Sequence, residues 1–195
     1  MINETAQWAL LLFLTVYSIG LTRQLGHFLS SGRENRSASE GPDLNRALPR
    51  GFLLDAERDH LQELATGRKS AYAAIVTMDE RCSGCDQMVE QLETIGLAER
   101  TPLMIVARKA NAEHHERLKS VADIVVVDEQ RFDKADLSIT PFTMLLDEDL
   151  RLVAKAIATP VDALIAKYRE ESQHQSQPAD GGRAAELALS GRNRE

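Results

Sequence analysis

The chain has 195 residues, of which 43% are hydrophobic, 27% charged and 5% aromatic, room for one ordinary domain but not for two full ones. Its 30 acidic and 23 basic side chains leave a net charge of -7, which argues against a nucleic-acid partner for want of a basic footprint. Both cysteines lie in Cys82-Ser83-Gly84-Cys85, so no disulfide scaffold staples the fold and burial alone must hold it.

The first feature in chain order is an uncharged apolar run, Ala6 to Leu21, broken only weakly by Gln7. As a helix it is about 24 Å long, and extension to Phe28 and Leu29 reaches bilayer thickness if Arg23 snorkels. Residues 1–29 are therefore expected to form a single membrane-spanning anchor, with membrane lipid as its partner and Trp8 and Tyr17 at interfacial or helix-packing positions. The alternatives are a buried core helix and a cleaved signal peptide, with Val16-Tyr17-Ser18 as the cleavage site of the latter. Against cleavage, the first five residues contain no lysine or arginine. Arg23, Arg33 and Arg36 follow the run and nothing basic precedes it, so the positive-inside rule taken alone leaves the C-terminal part in the cytoplasm.

Ser30 to Pro49 is rich in Ser, Gly, Asn, Arg and Glu, and reads as a flexible linker over residues 30–50. Ser172 to Glu195 has the same character and reads as a disordered tail. Between them, residues 51–171 carry the patterning of a packed domain.

Within that part, Leu53 to Leu64 fits either a strand or an amphipathic helix. Ala71 to Met78, Leu103 to Ala107 and Ile124 to Val127 are short, nearly continuous apolar runs, the pattern of strands buried on both faces. Met88, Val89, Leu92 and Ile95 fall on one helical face, which Gly96 stops. Asn111 can cap a helix from Ala112 to about Val121, with Glu113 and Glu116 near its positive end. Strand and helix alternation implies crossovers and parallel pairing. Phe142 to Leu146, the turn Asp147-Glu148-Asp149, and Leu150 to Ile157 then read as an antiparallel hairpin. Thr159 as cap and Pro160 as first residue start a last helix, with Val161, Leu164, Ile165 and Tyr168 as its apolar stripe. Tyr72 and Phe142 are expected in the core, Phe142 also being placed to line a peptide-binding face beside Pro141.

The chemistry lies in the cysteine pair. A thiol at a helix N-terminus beside a cation ionises more readily than a free thiol, and Cys82 has both if a helix begins there, with Arg81 as the modulating cation. Asp79, Glu80 and Asp86 oppose Arg81. Two intervening residues let Cys85 reach back across one turn, and Gly84 leaves the approach uncrowded. The bland alternative for C-x-x-C is half of a zinc site completed by His114 and His115. Adjacent histidines point about 100° apart on a helix and lack ligand spacing, so they read as a solvated face and no metal is expected.

The order strand, C-x-x-C opening a helix, strand, helix, strand, Ile139-Thr140-Pro141, hairpin and C-terminal helix resembles a thioredoxin-like α/β fold, a mixed sheet flanked by helices, over about Gly51 to Glu171. With the N-terminal anchor and the Gly41-Pro42 to Leu48-Pro49 stretch, the chain is most similar to membrane-anchored redoxins of the TlpA type and the methylamine-utilisation (MauD) type. The resemblance implies a membrane-tethered thiol-disulfide oxidoreductase. Cys82 would be its nucleophile, Cys85 its resolving thiol and Pro141 a cis-proline facing them after Thr140. It implies no cofactor, a cysteine-containing protein substrate, a membrane electron-transfer partner, and a role as maturation factor for a secreted enzyme. It also implies a single-pass protein of the cytoplasmic membrane with its domain outside, against the arginine bias. Two departures stand out: Arg81 replaces the usual tryptophan, and Val76 replaces a buried acid that would accept the resolving thiol's proton. The peroxiredoxin pattern is absent, since Ile75 and Asp79 occupy its proline and threonine places. A catalytically inert adaptor holding a partner at the membrane is the alternative function.

Overall fold

The computed structural model describes residues 8, 11, 12, 14–20, 22 and 39–176. The expected anchor and linker lie outside the described residues but for these positions, and the tail lies outside them beyond residue 176. The described positions between 8 and 22 are helical, with Trp8, Leu12 and Val16 exposed. Among the described residues no helix is long and apolar enough to cross a membrane.

Residues 39–176 build a five-stranded mixed sheet flanked by helices, a thioredoxin-like α/β fold. Helix α1 (Asp55–Arg68) precedes β1 (Ala73–Met78), and α2 (Ser83–Ile95) connects β1 to β2 (Leu103–Ala107). Helix α3 (Ala112–Val121) leads to β3 (Ile124–Val127), then come the short α4 (Gln130–Lys134), the hairpin β4 (Phe142–Leu146) and β5 (Leu152–Ile157), and α5 (Val161–Ser176). The strand order is β3-β2-β1-β4-β5, with β1, β2 and β3 parallel and β4 antiparallel to both β1 and β5.

The three central strands read as apolar runs because both of their faces are covered. Ala74, Val76 and Met78 meet α2, α3 and α5 through Cys85, Met88, Val89, Leu92, Leu118, Val161 and Leu164. Ala73 and Ile75 face the other way, onto Phe52, Leu61, Phe132 and Phe142. The β3 run, expected to be buried on both faces, is instead an edge strand: its residues are half-buried and Val127 is 41% exposed. A β-branched apolar run specifies a strand but not its lateral place in the sheet.

The ambiguous Leu53 to Leu64 stretch resolves as α1. Its Ala, Glu, Gln, Arg and Leu content favours a helix. Glu57 caps the start by accepting the Leu54 N–H at 2.9 Å, and a left-handed Lys69 at φ 52° ends it. Arg131, also buried, ties α4 to α1 through two bonds to the Glu57 carboxylate at 2.7 and 2.9 Å and one to the Phe52 carbonyl at 2.9 Å. Asn111 caps α3 as expected, its side chain accepting the His114 N–H, and Gly96 closes α2 in the left-handed region. Ile95 turns outward and is 38% exposed. Thr159 does not cap α5, since its hydroxyl donates to the Ile157 carbonyl while Pro160 receives the Leu164 N–H.

The linker is corrected over residues 39–50, which are strapped across β4 and β5. Lys155 Nζ donates to the Glu40 and Pro42 carbonyls at 2.8 and 2.9 Å, Asn45 and Arg46 exchange backbone bonds with Leu152, and Leu48 is buried. Gly41 is required there: at φ +68° a Cβ would stand 2.8 Å from Leu137 Cδ2. Polar composition signals a solvated coil, yet here backbone carbonyls and one carboxylate supply the attachment.

Candidate functional site

The parallel strands end at Met78 and Ala107, and the functional groups gather just beyond their C-terminal edge. Asp79 opens a tight turn by accepting the Cys82 N–H on its carbonyl at 3.1 Å and the Arg81 N–H on Oδ1 at 3.1 Å. Cys82 follows as the cap residue of α2 in extended conformation, its carbonyl accepting the Cys85 N–H at 2.9 Å. This puts Cys82 half-buried at the helix start and Cys85 fully buried in its first turn, both as free thiols.

From the other side, the loop before β4 brings in Thr140 and Pro141, joined by a cis peptide bond. The Cys82 thiol donates to the Thr140 carbonyl across 3.3 Å. Gly84 faces the proline: a Cβ there would stand 3.3 Å from Pro141 Cδ and 3.8 Å from Cys82 Sγ. The sequence-expected group Cys82, Cys85, Thr140 and Pro141 is thus together in space. Arg81 is exposed on the turn before Cys82. Phe142 is fully buried on the α1 side of the sheet, so it cannot line a peptide-binding face.

The two thiols sit in different environments. Burial, and the Cys82 side chain next to it, push the Cys85 thiol up to about 12 against a backbone hydrogen bond at Asp79 that favours its thiolate. Val76, on the sheet face that packs Cys85, offers it no carboxylate. Of the three acids expected to oppose Arg81, two are engaged elsewhere. Asp79 Oδ2 lies 3.6 Å from Arg108 Nε, and Glu80 accepts the Asn111 N–H at 2.9 Å. His114 and His115 are half-buried rather than a solvated face, and the described residues hold no cluster of three or more His, Cys, Asp or Glu fit for a metal.

Sequence reasoning missed Arg108 and Glu40. Arg108 bonds the Leu137 carbonyl, and the Glu40 carboxylate accepts from Ser138 N, Ser138 Oγ and Ile139 N, so both grip the loop that ends in Thr140–Pro141. A signal for Arg108 existed: parallel neighbours of equal register end together, and the next residues are an acid and a base.

No protein-family model matches this chain, and no curated protein does. Solved structures align with part of it. The thioredoxin domain of a thiol-disulfide oxidoreductase from Bacteroides vulgatus is 16% identical over 54% of this chain and 82% of that one, with a TM-score of 0.42. A thio-disulfide isomerase from Thermus thermophilus is 17% identical over 50% and 77%, also at 0.42. A thiol:disulfide interchange protein from a Bacteroides species is 16% identical over 60% and 82%, at 0.39. At these values the likeness carries no argument of its own, and the fold rests on the strand order, register and helix placement above.

Proposed function

We propose that this chain is a thiol-disulfide oxidoreductase whose substrate is a cysteine-bearing partner protein. The observation that carries the reading is the half-exposed Cys82 at a helix start, beside cis Pro141, with a second thiol one turn behind it. An adaptor has no need of two adjacent thiols in unlike environments.

In the reducing direction, the Cys82 thiolate attacks one sulfur of a partner disulfide. The Cys82–partner bond forms as the partner's own S–S bond breaks, and the second partner sulfur leaves as a thiolate. Cys85 then gives up its proton and attacks Cys82 Sγ. The Cys82–Cys85 bond forms, the first partner sulfur departs, and two electrons have passed to the partner. The oxidising direction is the reverse. In the reduced chain burial pushes Cys85 up to about 12, so closure must remove a tightly held proton, and Val76 supplies no base to take it.

The apolar run ahead of the domain belongs to the same reading: we take it as an anchor in the cytoplasmic membrane, with the domain outside, where protein disulfides persist. Exposed Trp8, Leu12 and Val16 support burial in lipid. A maturation factor for one secreted enzyme, served by a membrane electron-transfer partner, fits that placement.

The test of the redox reading is equilibration of the full-length chain with glutathione buffers of stepped potential, followed by acid quenching and alkylation. One two-electron transition, losing both alkylation sites together, is expected. Two thiols that stay alkylatable across the range would leave the adaptor. For the anchor, carbonate extraction should leave the full chain in the membrane pellet, and an impermeant maleimide should label Cys82 on intact cells. Release into the supernatant defeats the anchor, and protection of Cys82 reverses the topology.

A further inference from the structure

Because Met78 and Ala107 are register partners, Asp79 and Arg108 leave the sheet side by side. Asp79 shapes the cysteine turn through its bonds from Cys82 N and Arg81 N. Arg108 reaches in two directions at once. Its Nε stands 3.6 Å from Asp79 Oδ2, its Nη2 donates to the Leu137 carbonyl at 3.3 Å, and its guanidinium carbon lies 4.6 Å above the Phe132 ring. One rigid, planar group therefore connects the turn bearing Cys82 to the loop bearing Thr140, with Phe132 beneath it as a floor.

This is an unusual arrangement for an ion pair that serves stability alone. Arg108 Nε is buried and lacks a hydrogen-bond partner, and 3.6 Å to Asp79 is longer than a hydrogen bond. At the opposite end of the sheet, Arg68 makes two close bonds to Asp123, and Asp123 also accepts the Leu103 N–H. That pair is held by two direct bonds and a third from the Leu103 N–H, and no thiol is among its partners.

We propose that Arg108 is a positioning residue: it brackets the cysteine turn and the Thr140–Pro141 loop, and so holds Cys82 Sγ in its register against the Thr140 carbonyl. The proposal rests on the dithiol reading above. It makes Cys82 reactivity depend on a side chain that touches neither sulfur, because displacement of a reacting group by about 1 Å is enough to cost a large factor in rate.

The test measures the reaction of the reduced full-length chain with dipyridyl disulfide, a neutral reagent that Arg108 does not attract by charge. Arg108→Gln should slow the attack of Cys82 about tenfold. Arg108→Lys keeps the charge beside Asp79 but cannot also reach Leu137, so it should fall between Gln and the parent. Arg68→Gln is the control, expected to lower the melting temperature at least as much as Arg108→Gln with its rate unchanged. A folded Arg108→Gln within about twofold of the parent rate overturns the bracket, as does an equal slowing by Arg68→Gln. Should Arg108→Gln fail to fold, Asp79→Asn breaks the same pair while keeping Asp79's backbone bonds and the Oδ1 acceptor. An unchanged rate there also overturns it. A parent chain that forms no mixed disulfide at Cys82 instead defeats the dithiol reading, an outcome distinct from an active parent with unaffected variants.

Discussion

The two ends of the parallel strands are built to different purposes. At the end where β2 begins, Arg68 and Asp123 form a two-bond ion pair, with their side chains 22% and 13% exposed, and Asp123 also accepts the Leu103 N–H. At the end where β2 finishes, Asp79 and Arg108 stand 3.6 Å apart, a thiol bonds a carbonyl across 3.3 Å, and a glycine takes the place of a side chain. The first end pairs its charged groups closely; the second holds a longer ion pair, and a buried Arg108 Nε without a hydrogen bond, beside two thiols of unlike burial. The closer ion pair thus lies away from the thiols, as expected if a reactive site needs groups that can exchange partners.

The largest effect expected from breaking that contrast is at the stable end. Asp123→Ala strands the Arg68 guanidinium and the Leu103 N–H together, and should cost about 3 kcal/mol in denaturant unfolding while disulfide exchange proceeds at the parent rate. A matching loss of exchange would mean the two ends are not separable.

At the reactive end the effect should fall on rate. Gly84→Ala puts a methyl 3.3 Å from Pro141 Cδ, tighter than ordinary contact, so Cys82 and the proline loop must move apart by a few tenths of an ångström. Exchange should slow about tenfold, with stability reduced by about 1 kcal/mol. Normal exchange in this variant would remove the proline contact from the site.

A smaller effect, in pH, sharpens the same comparison, because each end titrates on its own side of neutrality. Arg68 and the Leu103 N–H hold the Asp123 carboxyl below its usual range against the opposing effect of burial. Its contribution is present above the unfolded carboxyl value and is lost as pH falls through that value toward the folded one. Burial raises Cys85 from 9.0 to about 12, so the folded thiol keeps a proton that the unfolded chain releases, and stability falls as pH rises from about 9 toward 12. Melting curves of the reduced chain should therefore show an acid limb that Asp123→Asn flattens and an alkaline limb that Cys85→Ser flattens. Limbs unaltered by these substitutions would assign the pH dependence to other groups.

Much of the architecture was legible because burial leaves a pattern. Ala73–Met78, Leu103–Ala107 and Phe142–Leu146 are apolar on both faces since helices cover both sides of the central sheet. Asn111 and Gly96 punctuate helices through backbone geometry that few other residues supply. The cysteine pair and Thr140–Pro141 were legible through their order in the chain. What escaped was lateral or long-range. Ile124–Val127 carries no mark of being an edge, and α4 is too short for periodicity, with Phe132 and Arg131 its only buried residues. The strap at 39–50 reaches a loop 98 positions downstream through Glu40 and is held by Lys155 of β5 from 115 positions downstream, contacts that composition does not encode. Arg108 left a fainter mark: it follows Ala107 as Asp79 follows Met78, but its contacts depend on strand register rather than on any local motif.

The central claim is that Cys82 attacks and Cys85 resolves, and trapping tests it most directly. Cys85→Ser should retain the attacking thiol but lose closure, so partner proteins should accumulate as covalent adducts in acid-quenched, non-reducing electrophoresis. Cys82→Ser should trap far less, because the thiol that remains is fully buried. Adducts with Cys85→Ser alone are the expected result; adducts with Cys82→Ser alone would reverse the roles, and none with either would contradict disulfide exchange as the function of this site.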